Sequence, residues 1–197
     1  MVTDFRQKLG VALALLFLSA AGARAQTAPP FEVSLGYSYV HSNAPPGGCG
    51  CFNMNGGSGG FAVLVGHGIS AVAEAGGYYQ NNVDNSGRWL RFETVLFGPR
   101  YSFSHWRKWT PFGQALLGGS LGSGTLYGPN ATTSGSASGF SLSAGGGLDW
   151  DVSSRVSVRL FQAEYMLTRF PNSTNNDQNN VRITTGVVFH FGERRGR

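Results

Sequence analysis

Val181-Arg182-Ile183-Thr184-Thr185-Gly186-Val187-Val188-Phe189-His190-Phe191 alternates with period two. Val181, Ile183, Thr185, Val187, Phe189 and Phe191 fall on one face. Arg182, Thr184, Gly186 and His190 fall on the other, with Val188 as the one exception. Successive side chains of a strand point to opposite faces, so this run is a strand with one apolar and one polar face. Whether the apolar face meets a protein core or lipid is decided by the sequence that precedes it.

Working outward, seven earlier runs carry the same signal. In residues 31–40, Phe31, Val33, Leu35, Tyr37 and Tyr39 oppose Glu32, Ser34, Gly36 and Ser38. A Pro/Gly-rich loop is expected over 43–58, then a short strand over 59–66 with Phe61, Val63 and Val65 on one face. A tight turn at Gly68 leads to a strand over 70–80, with Glu74 inward, and a polar loop over 81–87. In residues 89–103, Leu90, Phe92, Thr94 and Leu96 oppose Arg91 and Glu93. A bulge at Gly98-Pro99 is expected to flip the parity, so that Arg100 joins the inward set. Residues 109–121 return, with Ala115, Leu117 and Leu121 opposite Gln114, and a Gly/Ser/Thr/Asn loop covers 122–138. Phe140, Leu142, Ala144, Leu148 and Trp150 then alternate against Ser141, Ser143 and Asp149. In residues 155–170, Arg159 and Glu164 have opposite parity, and a bulge near Gln162 would let both point inward. A last polar loop over 171–180 leads back to the opening stretch.

Eight strands result, with long and short connections in alternation. An immunoglobulin-type sandwich gives no reason for every long loop to lie at one end. An up-and-down barrel in an outer membrane does: short turns on one side, long external loops on the other. The inward residues are small or polar, so the apolar face is the outside. The expected fold is therefore all-β, an eight-stranded antiparallel up-and-down transmembrane β-barrel.

Arg6 and Lys8 precede an apolar run over 9–21, and Ala23-Arg24-Ala25 has the form of a signal-peptidase site. Residues 1–25 read as an export signal cleaved between Ala25 and Gln26, leaving a barrel over 26–192 and a short basic tail over 193–197. No segment has the roughly 18 consecutive apolar residues of a spanning helix. Without the first 25 residues, Lys+Arg falls from 15 to 12 and Asp+Glu from 10 to 9. That balance is unclustered and points away from nucleic acid. The only cysteines, Cys49 and Cys51, make a candidate loop disulfide in an oxidising compartment. Free thiols and a metal site are the alternatives, though zinc would need two more ligands.

Thr184-x-Gly186-x-x-Phe189-x-Phe191 closes the chain's last strand. Before it come Gly98-Pro99-Arg100-Tyr101, Thr110-Pro111-Phe112, Gly145-Gly146-Gly147-Leu148-Asp149 and Gln162-Ala163-Glu164-Tyr165. On these runs the chain resembles the small eight-stranded outer-membrane β-barrels, of the type of outer-membrane protein X and the membrane domain of outer-membrane protein A. The resemblance implies that Thr184, Gly186, Phe189 and Phe191 are the signal read by the barrel-assembly machinery. It implies outer-membrane lipid as surroundings, periplasmic N- and C-termini and a monomer. Family members usually end on the terminal aromatic, whereas this chain continues past Phe191. No peptidoglycan-binding domain follows the barrel.

A barrel of eight strands is just wide enough to be filled by its own side chains. The expected lumen network comprises Glu32, Glu74, Arg91, Glu93, Arg100, Asp149, Arg159, Glu164 and Arg182, mixed in sign because buried charges must be paired. Arg182 and Glu32 sit on strands that become neighbours on closure and are expected to pair. A lipid-A deacylase of this architecture needs His-x-Ser so that a base activates the hydroxyl. None of His41, His67, His105 and His190 has Ser two residues on, so no catalytic residue, cofactor or metal is assigned. Binding then falls to the four loops, as in a structural or adhesin-like surface protein with an extracellular ligand. The alternatives are a narrow ion or water channel, a lipid-A-modifying enzyme, and a soluble lipid carrier, which would need an apolar interior.

Overall fold

The computed structural model describes residues 30–43, 51–83, 85–103, 107–125, 133–170 and 177–192. Eight antiparallel strands close into one barrel, each paired with its neighbours in sequence and β1 with β8. They are β1 (Phe31–Ser42), β2 (Phe52–Gly66), β3 (Ile69–Val83), β4 (Arg88–Ser102), β5 (Trp109–Gly124), β6 (Gly135–Asp151), β7 (Val156–Arg169) and β8 (Asp177–Phe191). The export signal, its cleavage site at Ala25 and Gln26, and the tail over 193–197 lie outside the described residues.

The register fixes the geometry. Following paired residues round the wall from Val33 leads through Phe61, Ala73, Phe97, Leu117, Leu142, Leu167 and Asn179 to Asn43. The circuit closes ten residues higher on β1 than it began. With eight strands, that stagger tilts each strand by roughly 40° to the barrel axis.

The outward face is apolar over a belt. Aromatics bound it at both ends: Phe31, Tyr101, Phe103, Trp109, Trp150 and Phe191 at the turn end, Tyr37, Tyr39, Tyr79 and Tyr165 at the loop end. Phe31 stacks on Phe191 across the closing seam, and Trp109 stacks on Trp150. Beyond the loop-end girdle the strands continue as a polar collar of cross-strand pairs. Tyr37 donates to Asn55 (2.6 Å), His41 bonds Asn53 (2.7 Å), and Arg169 pairs with Asp177 (2.7 Å). The strands have 12 to 17 residues, longer than the roughly 9–11 needed to cross hydrocarbon, and the excess makes the collar.

The collar explains why several loops are shorter than the sequence suggested. β2 begins at Phe52, β6 at Gly135 and β8 at Asp177, inside stretches expected to be loop. Above the belt no lipid demands an apolar outer face, so Asn, Gly and Ser serve as strand residues.

Two bulges were expected, and one is present. β4 keeps its parity through Gly98-Pro99, because the β3–β4 ladder runs unbroken from Ile69↔Tyr101 to Gln80↔Leu90. Leu90, Phe92, Thr94 and Leu96 therefore point inward with Arg100, while Arg91 and Glu93 point outward. In β7, register shifts against both neighbours place an extra residue at Leu160-Phe161, and both side chains face outward. That bulge brings Arg159 and Glu164 to the same interior.

The turn end is built from tight connections. His67 and Gly68 both have positive φ, 50° and 79°, the signature of a two-residue hairpin turn matched to strand twist.

Candidate functional site

Among the described residues, chemistry-bearing side chains converge in the lumen, and it is layered. Toward the turn end it holds charge; toward the loop end it is apolar.

The charged layer is a continuous network. Arg182 on β8 reaches both Glu164 on β7 and Glu74 on β3, and donates to the Tyr78 hydroxyl at 2.8 Å. Gln162 bridges the two acids, donating to Glu164 (2.8 Å) and Glu74 (3.3 Å). Its carbonyl accepts from Arg159 (2.7 Å), which makes a bidentate pair with Asp149 at 2.8 and 3.0 Å. Gln114 links Glu164 (2.8 Å) to Arg100 (2.9 Å). Arg100 and Arg159 lie over the Phe112 ring, 4.7 and 4.5 Å from its centroid, so the two cations share one aromatic face system. Close backbone approach makes room for these side chains. A methyl group on Gly186 would lie 2.1 Å from the Leu35 carbonyl oxygen, so β1 and β8 pass too closely there for any side chain.

Of the nine expected lumen charges, seven line the interior: Glu32, Glu74, Arg100, Asp149, Arg159, Glu164 and Arg182. Arg91 and Glu93 are the correction. They lie on the outer wall in the collar, pair with each other at 2.6 Å, and Arg91 is 55% exposed. The expected Glu32–Arg182 pair is also absent. Register sets Glu32 opposite His190 and Arg182 opposite Val40, eight residues along β1. Glu32 bonds His190 (3.1 Å) and lies 3.6 Å from Arg100.

One cluster was missed altogether. Ser157 on β7 donates to Asp151 (2.6 Å) and contacts His190 Nε2 (2.6 Å), whose Nδ1 faces Glu32. The string spans four neighbouring strands and the seam. The order Ser–His–Glu is that of a nucleophile, base and orienting acid. The Ser157 hydroxyl is wholly buried, however, and its hydrogen goes to Asp151, so the arrangement ties strands together and presents no nucleophile. A search by sequence motif misses it because the partners are on different strands.

Above the network sits an apolar plug. Val40, Phe52, Met54, Tyr78, Val83, Leu90, Phe92, Met166 and Phe170 pack together inside the loop end. Ala62, Val72, Leu96 and Leu116 form a second patch along β2–β5. The expectation of a small or polar interior is thus corrected: at the loop end the lumen is filled by apolar side chains packed on one another. Among the hollows, the space bounded by Ser34, Gly36, Ser58, Glu74, Arg159 and Thr184 is about 10 Å³, room for about one water. A larger one, about 640 Å³, lies on the outer wall beside Tyr79, Trp89 and Arg91. No group of three or more His, Cys, Asp or Glu among the described residues could hold a metal. Cys51 is exposed just before β2. Cys49 lies outside the described residues, and so does the candidate pairing.

Thr184 faces inward and bonds Ser38 at 2.8 Å; Gly186 lies in the seam; Phe189 and Phe191 face outward at the turn-end girdle.

A family model for the outer membrane protein beta-barrel domain matches residues 10–191. None of the curated proteins matches the chain. Among solved structures, the chain is similar to Neisserial surface protein A, with TM-score 0.62 and 13% identity over 82% of this chain and 97% of that one. It is similar to the attachment invasion locus protein Ail of Yersinia pestis, with TM-score 0.57 and 14% identity over 83% and 99%. The N-terminal β-barrel domain of Pseudomonas aeruginosa OprF gives TM-score 0.52 and 14% identity over 84% and 100%. At these identities the likeness is one of fold.

Proposed function

The chain belongs to the outer-membrane β-barrel family, and from that premise we propose that it is a monomeric, non-conducting surface protein whose working parts are its loops. The observation that carries this reading is the closed lumen: a buried ion-pair network below an apolar plug. A filled barrel is a rigid platform, and binding residues on such platforms sit on the connections. The loop end faces outside the cell in this reading, and the chain termini face the periplasm after removal of residues 1–25.

Residues 43–51, 126–132 and 171–176 carry no Lys, Arg, Asp or Glu; they are rich in Pro, Gly, Thr and Asn. They suit an uncharged polar partner. Ail has been seen in complex with the heparin analogue sucrose octasulfate, but a polyanion needs clustered cations, and these loops have none. A disulfide between Cys49 and Cys51 would stiffen the first loop. Thr184, Gly186, Phe189 and Phe191 act as the assembly signal, with the two aromatics presented on the lipid side. No catalytic role is assigned: the serine–histidine–carboxylate set found among the described residues is sealed.

Reconstitution in planar bilayers tests the closed lumen: no stepwise conductance is expected, and steps on the scale of a water-filled pore overturn the reading in favour of a channel. An epitope inserted after Pro129 is expected to be read by antibody on intact cells, and one after His67 only after permeabilisation. The reverse pattern overturns the orientation.

A further inference from the structure

The two ends of the barrel carry charge differently. At the loop end the exposed cations Arg91 and Arg169 are each neutralised by a carboxylate, Arg91 by Glu93 on the same strand and Arg169 by Asp177 across on β8. At the turn end, the β4–β5 and β6–β7 connections place Arg107, Lys108 and Arg155 in solvent. Neither 103–108 nor 152–155 contains an acidic residue. Among the described residues none of the three forms an ion pair. The nearest acid by backbone is Asp151, whose amide bonds the Lys108 carbonyl at 2.8 Å. One of its carboxylate oxygens is taken by Ser157.

These cations form an arc, because the backbone ties the connections together. Lys108 joins β6 through Asp151, and the Arg155 carbonyl accepts from the His190 amide on β8 at 2.8 Å. The arc runs over β4–β8, and on its lipid side stand the stacked Trp109 and Trp150, ring centroids 6.2 Å apart, with Phe103 beside them. The rim on the other side, His67-Gly68 and Pro30, offers no Lys or Arg.

We propose that this arc is a seat for anionic phospholipid headgroups. Indole rings at the depth of the glycerol region with cations just beyond them match an acyl chain, its ester linkages and its phosphate in that order. The proposal rests on the membrane-barrel reading and deepens it: the turn end is drawn to a phospholipid leaflet by a group of exposed, unpaired cations that the loop end lacks among the described residues.

The test is native mass spectrometry of the full mature chain in detergent with phosphatidylglycerol or phosphatidylcholine, for wild type, R107Q/K108Q/R155Q and the loop-end control R91Q/R169Q. A cation near an anionic surface contributes roughly a fivefold preference. Wild type and control are expected to retain phosphatidylglycerol over phosphatidylcholine by at least the roughly fivefold of a single cation, and the triple variant to bind the two equally. Equal retention by wild type, or an undiminished preference in the triple variant, overturns the proposal. Gel mobility with and without boiling is recorded for each sample. A heat-dependent shift without lipid preference sinks this proposal alone, and loss of the shift in wild type sinks the membrane barrel and the proposal together.

Discussion

Arg182 is the residue on which the lumen chemistry turns. It is fully buried between two carboxylates and a tyrosine hydroxyl. Removing one partner of a buried charge set strands the others, at about 3–5 kcal/mol, whereas replacing the whole set by neutral groups of similar volume is far less costly. R182M alone is therefore expected to lower the unfolding free energy by about 3–5 kcal/mol. R182M/E74Q/E164Q is expected to regain most of that loss. Urea unfolding of the refolded protein in vesicles, followed by tryptophan emission, measures both; an R182M variant as stable as wild type would mean that the ion pairs are idle. At this scale the sequence was legible in kind and not in pairing. Glu74 and Arg182 could be assigned to the inside from alternation alone, and Glu164 together with Arg159 only by way of a bulge near Gln162. That Arg182 meets Glu74 on β3, and not Glu32 next door on β1, depends on register and stagger, which no side-chain type encodes.

Elements were legible where lipid imposes its rule. In the belt, an outward residue must be apolar, and β1, β6 and β8 read correctly for that reason. Above the belt the rule lapses and at the plug it inverts. On β4, Leu90 and Phe92 face in to the stopper while Arg91 and Glu93 face out to water. Reading apolar as outward there reverses the strand, and the expected Gly98-Pro99 bulge was needed only to undo that reversal. β7 is the opposite case: charges of opposite parity on one strand demanded an irregularity, and it lies at Leu160-Phe161, next to the position expected. The bulge is what keeps both Arg159 and Glu164 inside. Deleting Leu160 restores strict alternation and turns one of the two toward lipid. The deletion is expected to abolish the heat-sensitive folded band on gels, while L160A, which keeps the residue count, is expected to retain it. A folded deletion variant would show that the interior tolerates either parity.

For the whole molecule, the belt makes a depth-dependent claim. Leu35 stands mid-belt and His41 in the collar on the same face of the same strand. An arginine facing lipid costs about 2–4 kcal/mol at the bilayer midplane and about 0–1 near its edge. L35R is thus expected to destabilise the barrel in vesicles by about 2–4 kcal/mol and H41R by less than about 1. Equal effects would mean that the apolar face is not in a bilayer. The seam extends the same logic to assembly. Phe31 pairs with Phe191, so the ladder that completes the wall joins the first and last strands of the chain. Until β8 arrives, every partial sheet exposes two unpaired edges, and hydrocarbon penalises each such group by several kcal/mol. No subset of strands is an acceptable resident of the bilayer, and the loop closed by that final contact is the longest the chain can make. The protein therefore has no stable half: insertion is an all-or-none event that waits on the pairing of β8 with β1, and that strand acts as its ignition.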